Sequence, residues 1–203
     1  MDEEGIIKFQ CTWIEGKPLP AESVRELNRC RKWLYRKGWI GAYGNGVGFG
    51  NISIRTQDPG WFIITGSGTG RLKRLKEEHF SLVLSVDFER NALTCRGGAR
   101  ASSESMTHAA VYYSVPAIRA VVHIHDLKLW ESLLGRVPTT SASAGYGTPE
   151  MAFEVMRLFK ETDVLQGKIF VMGGHREGIV VFGRDLEEVK EALLRAVKIR
   201  KRR

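Results

Sequence analysis

Residues 119–125 read Arg119-Ala120-Val121-Val122-His123-Ile124-His125, an apolar run rich in β-branched side chains and bounded upstream by Pro116. Its brevity and composition predict a strand rather than a helix. Successive side chains on a strand face opposite ways, so His123 and His125 share one face while Val122 and Ile124 turn to the core on the other. Two imidazoles side by side suit a metal ion. An isolated pair of this kind is more often one hydrogen-bonded core histidine and one surface histidine, so the reading needs a third partner.

The flanking sequence supplies the frame. Pro18 and Pro20 introduce a helix over Ala21 to Lys37, with Val24, Leu27, Trp33 and Leu34 near a helical period and Gly38 at its C-cap. The glycine-rich stretch Gly41 to Gly50 reads as a flexible loop feeding a strand at Asn51 to Arg55. Gln57-Asp58-Pro59-Gly60 turns that strand into a hairpin with Trp61 to Ile64. Ser81 to Asp87 and Ala92 to Cys95 make a second pair. A helix begins near Ser103, carries Met106, Ala109, Ala110 and Tyr113 on its apolar side, and stops before Pro116. Thr148-Pro149-Glu150 starts another that runs to about Glu161. Ile169 to Met172 and Ile179 to Phe182 are strands on either side of a Gly-Gly-His turn. A final amphipathic helix from Asp185 has Leu186, Val189, Leu193, Leu194 and Val197 on one side. Turns too short for crossovers make the sheet largely antiparallel, in one α/β domain spanning residues 1–203.

Composition removes several function classes. With 43% hydrophobic residues among 203, the chain can bury a real core. It has no apolar run of the roughly 18 to 20 residues a membrane span needs, and the start Met1-Asp2-Glu3-Glu4 does not suit a secretory signal. Cys11, Cys30 and Cys95 form no C-x-x-C pair, so neither a disulfide scaffold nor a zinc ribbon is expected and a reducing cytoplasm is. Six of the positive charges behind the net +8 lie between Arg195 and Arg203; without them the balance is +2. A nucleic-acid role therefore rests on the tail at 198–203 alone, and cations there more often serve a solvated helix C-terminus.

The third imidazole is His175. Val171-Met172-Gly173-Gly174-His175 is a strand ending in glycines, which places the ring at a strand terminus. Three neutral imidazoles leave a coordination position open for water or substrate, as in catalytic zinc sites. Glu104 follows Ala101-Ser102-Ser103 at a helix start, where the dipole favours a carboxylate that could ligate the metal or act as a base. Gly50-Asn51-Ile52-Ser53, the run Thr65 to Gly70, and Ser102-Ser103 offer hydroxyls and exposed amides suited to holding a phosphate. None has the spacing of a P-loop or a dinucleotide fingerprint.

The order Gly-Asn-Ile-Ser, Thr-Gly-Ser-Gly, Ser102-Ser103-Glu104 with His108, Val122-His123-Ile124-His125, Tyr146-Gly147-Thr148 and Gly174-His175 resembles the class II aldolase/adducin family, over about residues 20 to 195. The resemblance implies a mainly antiparallel central sheet flanked by helices on both sides, and a homotetramer with active sites at subunit interfaces. It implies a zinc ion on His123, His125 and His175, with Glu104 both ligating the resting metal and serving as general acid/base. It implies a phosphate site formed by Asn51, Thr65, Gly66, Ser102 and Ser103, and a supporting role for His108. The implied reaction is aldol cleavage or formation in a small phosphorylated ketose through a metal-stabilised enediolate, with no Schiff-base lysine.

Ribulose-phosphate 4-epimerase, methylthioribulose-phosphate dehydratase and keto-acid-phosphate decarboxylase activities share that chemistry, and adducin-type relatives keep the fold as interaction modules without the metal. Retention of all three histidines favours an enzyme. The chain departs from the pattern in two places. No tyrosine lies in Val137 to Ala142, where the aldolases carry a second acid, and His175 is followed by Arg176-Glu177 before Gly178.

Overall fold

The computed structural model describes residues 5–201, with side chains through Lys198, so residues 1–4 and the basic tail beyond Lys198 lie outside the described side chains. Strand β1 (Gln10–Glu15) precedes helix α1 (Ala21–Arg36), which ends where Gly38 takes the left-handed conformation, φ +75°. Two short strands, β2 (Gly41–Ala42) and β3 (Gly48–Phe49), pair as a hairpin before β4 (Asn51–Arg55) and β5 (Phe62–Thr65). Strands β6 (Phe80–Asp87) and β7 (Ala92–Gly97) lead to helix α2 (Ser105–Ser114) and strand β8 (Ala120–His125). Helices α3 (Leu127–Leu133), α4 (Pro149–Glu161) and α5 (Val164–Gly167) are followed by β9 (Ile169–Val171), β10 (Gly178–Gly183) and helix α6 (Leu186–Lys201).

Among the described residues, eight strands form one sheet in the order β1-β7-β6-β5-β4-β8-β10-β9, antiparallel except where β1 lies parallel to β7. Helices cover both faces. Met106 and Ala110 of α2 and Met151, Val155 and Leu158 of α4 pack against Phe62, Ile64, Val121 and Val180. On the opposite face Val24, Leu27 and Leu34 of α1, Leu129 and Leu133 of α3 and Val189 and Leu193 of α6 meet Ile52, Val122, Ile124 and Val181. Strand alternation sorts β8: Val122 and Ile124 join the second layer, while Val121 faces the first. Because both faces are covered, His123 and His125 are as buried as their apolar neighbours.

Two expectations are corrected and two elements are added. Gly41 to Gly50 is no loose loop, because its glycines let the β2–β3 hairpin press onto neighbouring backbone. A Cβ at Gly50 would fall 2.9 Å from Trp39 O, and one at Gly70 would fall 2.6 Å from Gly41 O. Strand β1, which the sequence reading did not give, adds an edge strand upstream of the stretch that carries the family resemblance, and Phe9 joins the core. Tyr113 is 72% exposed while Tyr112 is buried, and Leu194 is 42% exposed, so both faces are narrower than their spacing suggested. Helix α3 has no long apolar period to announce it; its signal is Asp126, whose carboxylate accepts from Leu129 N at 2.9 Å as an N-cap.

All three cysteines are free thiols, with Cys11 and Cys95 Sγ atoms 3.7 Å apart. Among the described residues no helix is long and apolar enough to cross a membrane.

Candidate metal centre

Strand β8 runs between β4 and β10, pairing His123 with Asn51 on one side and Val180 on the other, and His125 with Gly178. His175 enters from the turn joining β9 to β10. Gly173 and Gly174 let that turn sit directly on residues 140–144, where added Cβ atoms would come within 2.2 Å of Thr140 O and 2.0 Å of Ala144 O. One nitrogen from each of His123, His125 and His175 lies within 4.8 Å of the others. His125 Nε2 and His175 Nε2 are 3.1 Å apart. Glu104, at the N-cap of α2, brings Oε1 to 3.9 Å from His123 Nδ1 and 3.8 Å from His175 Nε2.

Those carboxylate distances are too long for hydrogen bonds. Among the described residues, Glu104 Oε1 and both nitrogens of His123 lack a hydrogen-bond partner, although His123 is fully buried and Glu104 is 1% exposed. Buried polar atoms without partners are costly, on the order of 1–3 kcal/mol each. A divalent cation among these atoms would satisfy Glu104 Oε1 and one nitrogen of His123 together, and imidazole with carboxylate is an appropriate donor set, so the residues fit a metal. Burial holds His123 well below the usual histidine range, reinforced by His125, His175 and His108, and burial with His125 and Lys8 does the same for His175. Both rings are therefore in the neutral form that ligates. Glu104 is pushed up to about 7 by burial, against a hydrogen bond from Thr107 Oγ1 to Oε2 at 2.7 Å and the charge of Lys8.

The family described as Class II Aldolase and Adducin N-terminal domain matches residues 25–200. The chain belongs to this family. Methylthioribulose-1-phosphate dehydratase of Pseudoalteromonas translucida is 32% identical over 105 residues, 52% of this chain but 44% of the dehydratase, so the chain spans under half the length of that relative. The 3-oxo-tetronate 4-phosphate decarboxylase of Haemophilus influenzae is 30% identical over 159 residues, 68% of this chain and 69% of the decarboxylase. L-fuculose-1-phosphate aldolase from Thermus thermophilus superposes with a TM-score of 0.62 at 24% identity, over 90% of this chain and 91% of that one, which shows a shared fold.

The remaining expected residues of this class II aldolase family member fall in two groups. Asn51 is buried beside His123 in the ladder, and its Oδ1 has no hydrogen-bond partner among the described residues. Thr65 ends β5, where its hydroxyl accepts from Ile52 N at 3.3 Å, and Gly66 bridges to Ala101, next to buried Ser102 and Ser103. The Gly66 amide already donates to His79 O at 2.8 Å, so this glycine serves close approach and not anion binding through its own N–H. A Cβ there would meet that of Ala99 at 2.6 Å. His108 stands outside the imidazole cluster: its Nδ1 is 2.7 Å from Ser53 Oγ, and burial lowers it to about 3.

Phe49, Tyr43 and Lys8 escaped the sequence reading, whereas Tyr146 stood in one of its motifs. Phe49 stacks on His125 at 5.3 Å, and Tyr43 places its hydroxyl 2.7 Å from His125 Nδ1 and 3.0 Å from Glu177 Oε2. The Tyr146 ring lies 4.8 Å from that of His175, and Lys8 Nζ sits 4.2 Å from the tyrosine's ring centroid. The departure at Arg176-Glu177 and the motif at Tyr146 signalled part of this, and the rest depends on tertiary contact. The Glu177 carboxyl is held below its ordinary range by His125 first and then, against burial, by Tyr43.

Proposed function

We propose that this family member is a metal-dependent carbon–carbon lyase, an aldolase that cleaves or forms a bond in a small phosphorylated ketose. The observation that carries the reading is the convergence of three buried imidazoles with Glu104, whose Oε1 and the two His123 nitrogens have no other partner among the described residues. Zinc is the ion we assign, because three neutral histidines with an open position suit it. His123, His125 and His175 would hold the ion, which would supply Lewis acidity toward a substrate carbonyl.

Glu104 moves the proton at the carbon beside that carbonyl. Buried beside the imidazoles, it can take and return that proton, and the hydrogen bond from Thr107 keeps Oε2 fixed while Oε1 stays available. Asn51, Thr65, Ser102 and Ser103 would hold the phosphate with neutral amide and hydroxyl groups, and Gly66 would let the segments that carry them pack closely. The assembly we assign is the homotetramer that the resemblance implies, and its place of action is the cytoplasm.

A second reading keeps this centre and changes the bond that breaks. It is favoured by the dehydratase and decarboxylase relatives, one of which matches two thirds of the chain. Elemental analysis of the purified protein, with His123→Ala and His175→Ala beside it, tests the centre: we expect stoichiometric metal that both variants lose. A panel of ketose phosphates and keto-acid phosphates then separates the readings. Release of dihydroxyacetone phosphate marks the aldolase, and water loss, carbon dioxide or an epimer marks the alternatives. Metal-free protein that retains turnover would overturn the whole proposal. Light scattering tests the tetramer.

A further inference from the structure

The sequence Arg176-Glu177, inserted between His175 and Gly178, is used by neither the imidazole cluster nor the phosphate residues. Its backbone is unusual. Glu177 sits at φ +71°, a region that side-chain-bearing residues seldom occupy, and does so within the turn that delivers His175. Such an outlier at a candidate site invites a functional question. The answer lies in where its carboxylate goes. Glu177 Oε2 is 3.9 Å from His125 Nδ1, beyond hydrogen-bond range, and the gap is filled by the Tyr43 hydroxyl at 3.0 Å from the carboxylate and 2.7 Å from the imidazole.

The donors and acceptors in this chain can be assigned. A carboxylate only accepts, so the single hydroxyl proton of Tyr43 goes to Glu177. The Tyr43 oxygen must then accept, and the group facing it is His125 Nδ1, which therefore carries the ring proton. Nε2 keeps its lone pair, and Nε2 is the atom that faces His175 Nε2 at 3.1 Å inside the cluster. Phe49, stacked on the ring at 5.3 Å, and Tyr43, 4.7 Å from Phe49, keep the imidazole plane from turning.

We propose that Glu177 and Tyr43 are positioning residues that set the tautomer of His125, so that its Nε2 lone pair is presented to a divalent metal. The proposal rests on the metal-centre reading and adds two residues to it. Removing the carboxylate reverses the chain. In Glu177→Ala the tyrosine proton has no carboxylate to go to and turns toward Nδ1, and the ring proton moves to Nε2, where it must be displaced before that nitrogen can ligate. Tyr43→Phe removes the acceptor altogether.

Two measurements test this on the full chain. In metal-free protein, nitrogen-15 NMR of the histidine side chains reads the His125 tautomer, and chelator competition reads zinc affinity. We expect the Nδ1–H form in the wild type, loss of that preference in Glu177→Ala and Tyr43→Phe, and zinc binding weaker by about 10–100-fold in each, the usual effect of removing an outer partner of a ligating histidine. The double variant should bind no more weakly than the weaker single one, because the chain is already broken. An Nε2–H form in the wild type, or tautomer and affinity unchanged in the variants, overturns the proposal. A wild type that binds no zinc sinks the metal centre, and the tautomer alone then decides whether Glu177 and Tyr43 position the ring.

Discussion

Gly178 lies opposite His125 across the β8–β10 ladder, and a Cβ placed on it would come 2.5 Å from His175 Cδ2. The same Cβ would be 3.2 Å from His123 Nε2. The absent methyl group is thus part of how the imidazoles fit together. Gly178→Ala keeps an ordinary backbone conformation but must displace His175 from the cluster. We expect a folded protein, destabilised by about 1–3 kcal/mol as overpacked sites are, with its metal content lost. Full metal occupancy in this variant would contradict the packing argument.

Glu104 separates holding a metal from moving a proton. Glu104→Gln preserves the shape and the contact with Thr107 but cannot accept a proton. Turnover should fall by roughly two to four orders of magnitude, while the three histidines retain the metal. Steady-state kinetics with parallel metal analysis checks both halves. Turnover near the wild-type level would remove Glu104 from the proton-transfer role.

What the sequence disclosed follows the range of the forces involved. Strand β8 was legible because alternation and metal-donor chemistry coincide in the six residues from Ala120 to His125. Helix α4 was legible because Thr148 and Pro149 announce its start. Strand β1 was missed: it lies at the sheet edge, its burial alternates only weakly, and its partner β7 is distant in sequence. The cluster's histidines could be named in advance, since few residue types ligate metals. Tyr43 could not, because its role exists only once the β2–β3 hairpin sets it against His125 and Glu177.

That hairpin depends on glycine contacts. A Cβ on Gly70 would fall 2.6 Å from Gly41 O and 2.8 Å from both N and O of Phe49, all backbone atoms that cannot swing aside. Gly70→Ala should push β2 and β3 away from their seat, lowering stability by about 1–3 kcal/mol and taking Tyr43 and Phe49 off His125. Zinc affinity should fall with it. Gly44→Ala is the control, since a Cβ there meets nothing within 4 Å. Denaturant unfolding of the two variants should show a large change in the first and little in the second.

Acid stability has an identifiable contributor away from the site. Glu188 on α6 accepts from Lys168 Nζ, from Arg184 N at 2.7 Å and from the Arg184 guanidinium at 3.1 Å, tying the helix to the segments before and after β9 and β10. Lys168 first, and then Arg184, lower its ionisation from the ordinary 4.5 to about 2. Between those values the unfolded chain binds the proton that the folded chain refuses, so stability rises with pH across the window. The contribution is present above about pH 4.5 and is lost as pH falls through about 2. Glu188→Gln removes it at every pH. Urea unfolding of both proteins between pH 2 and 6 should therefore show a gap that is widest at the upper end and closes toward the lower. A gap that stays constant across this range would mean that Glu188 stabilises the fold through packing and not through its charge.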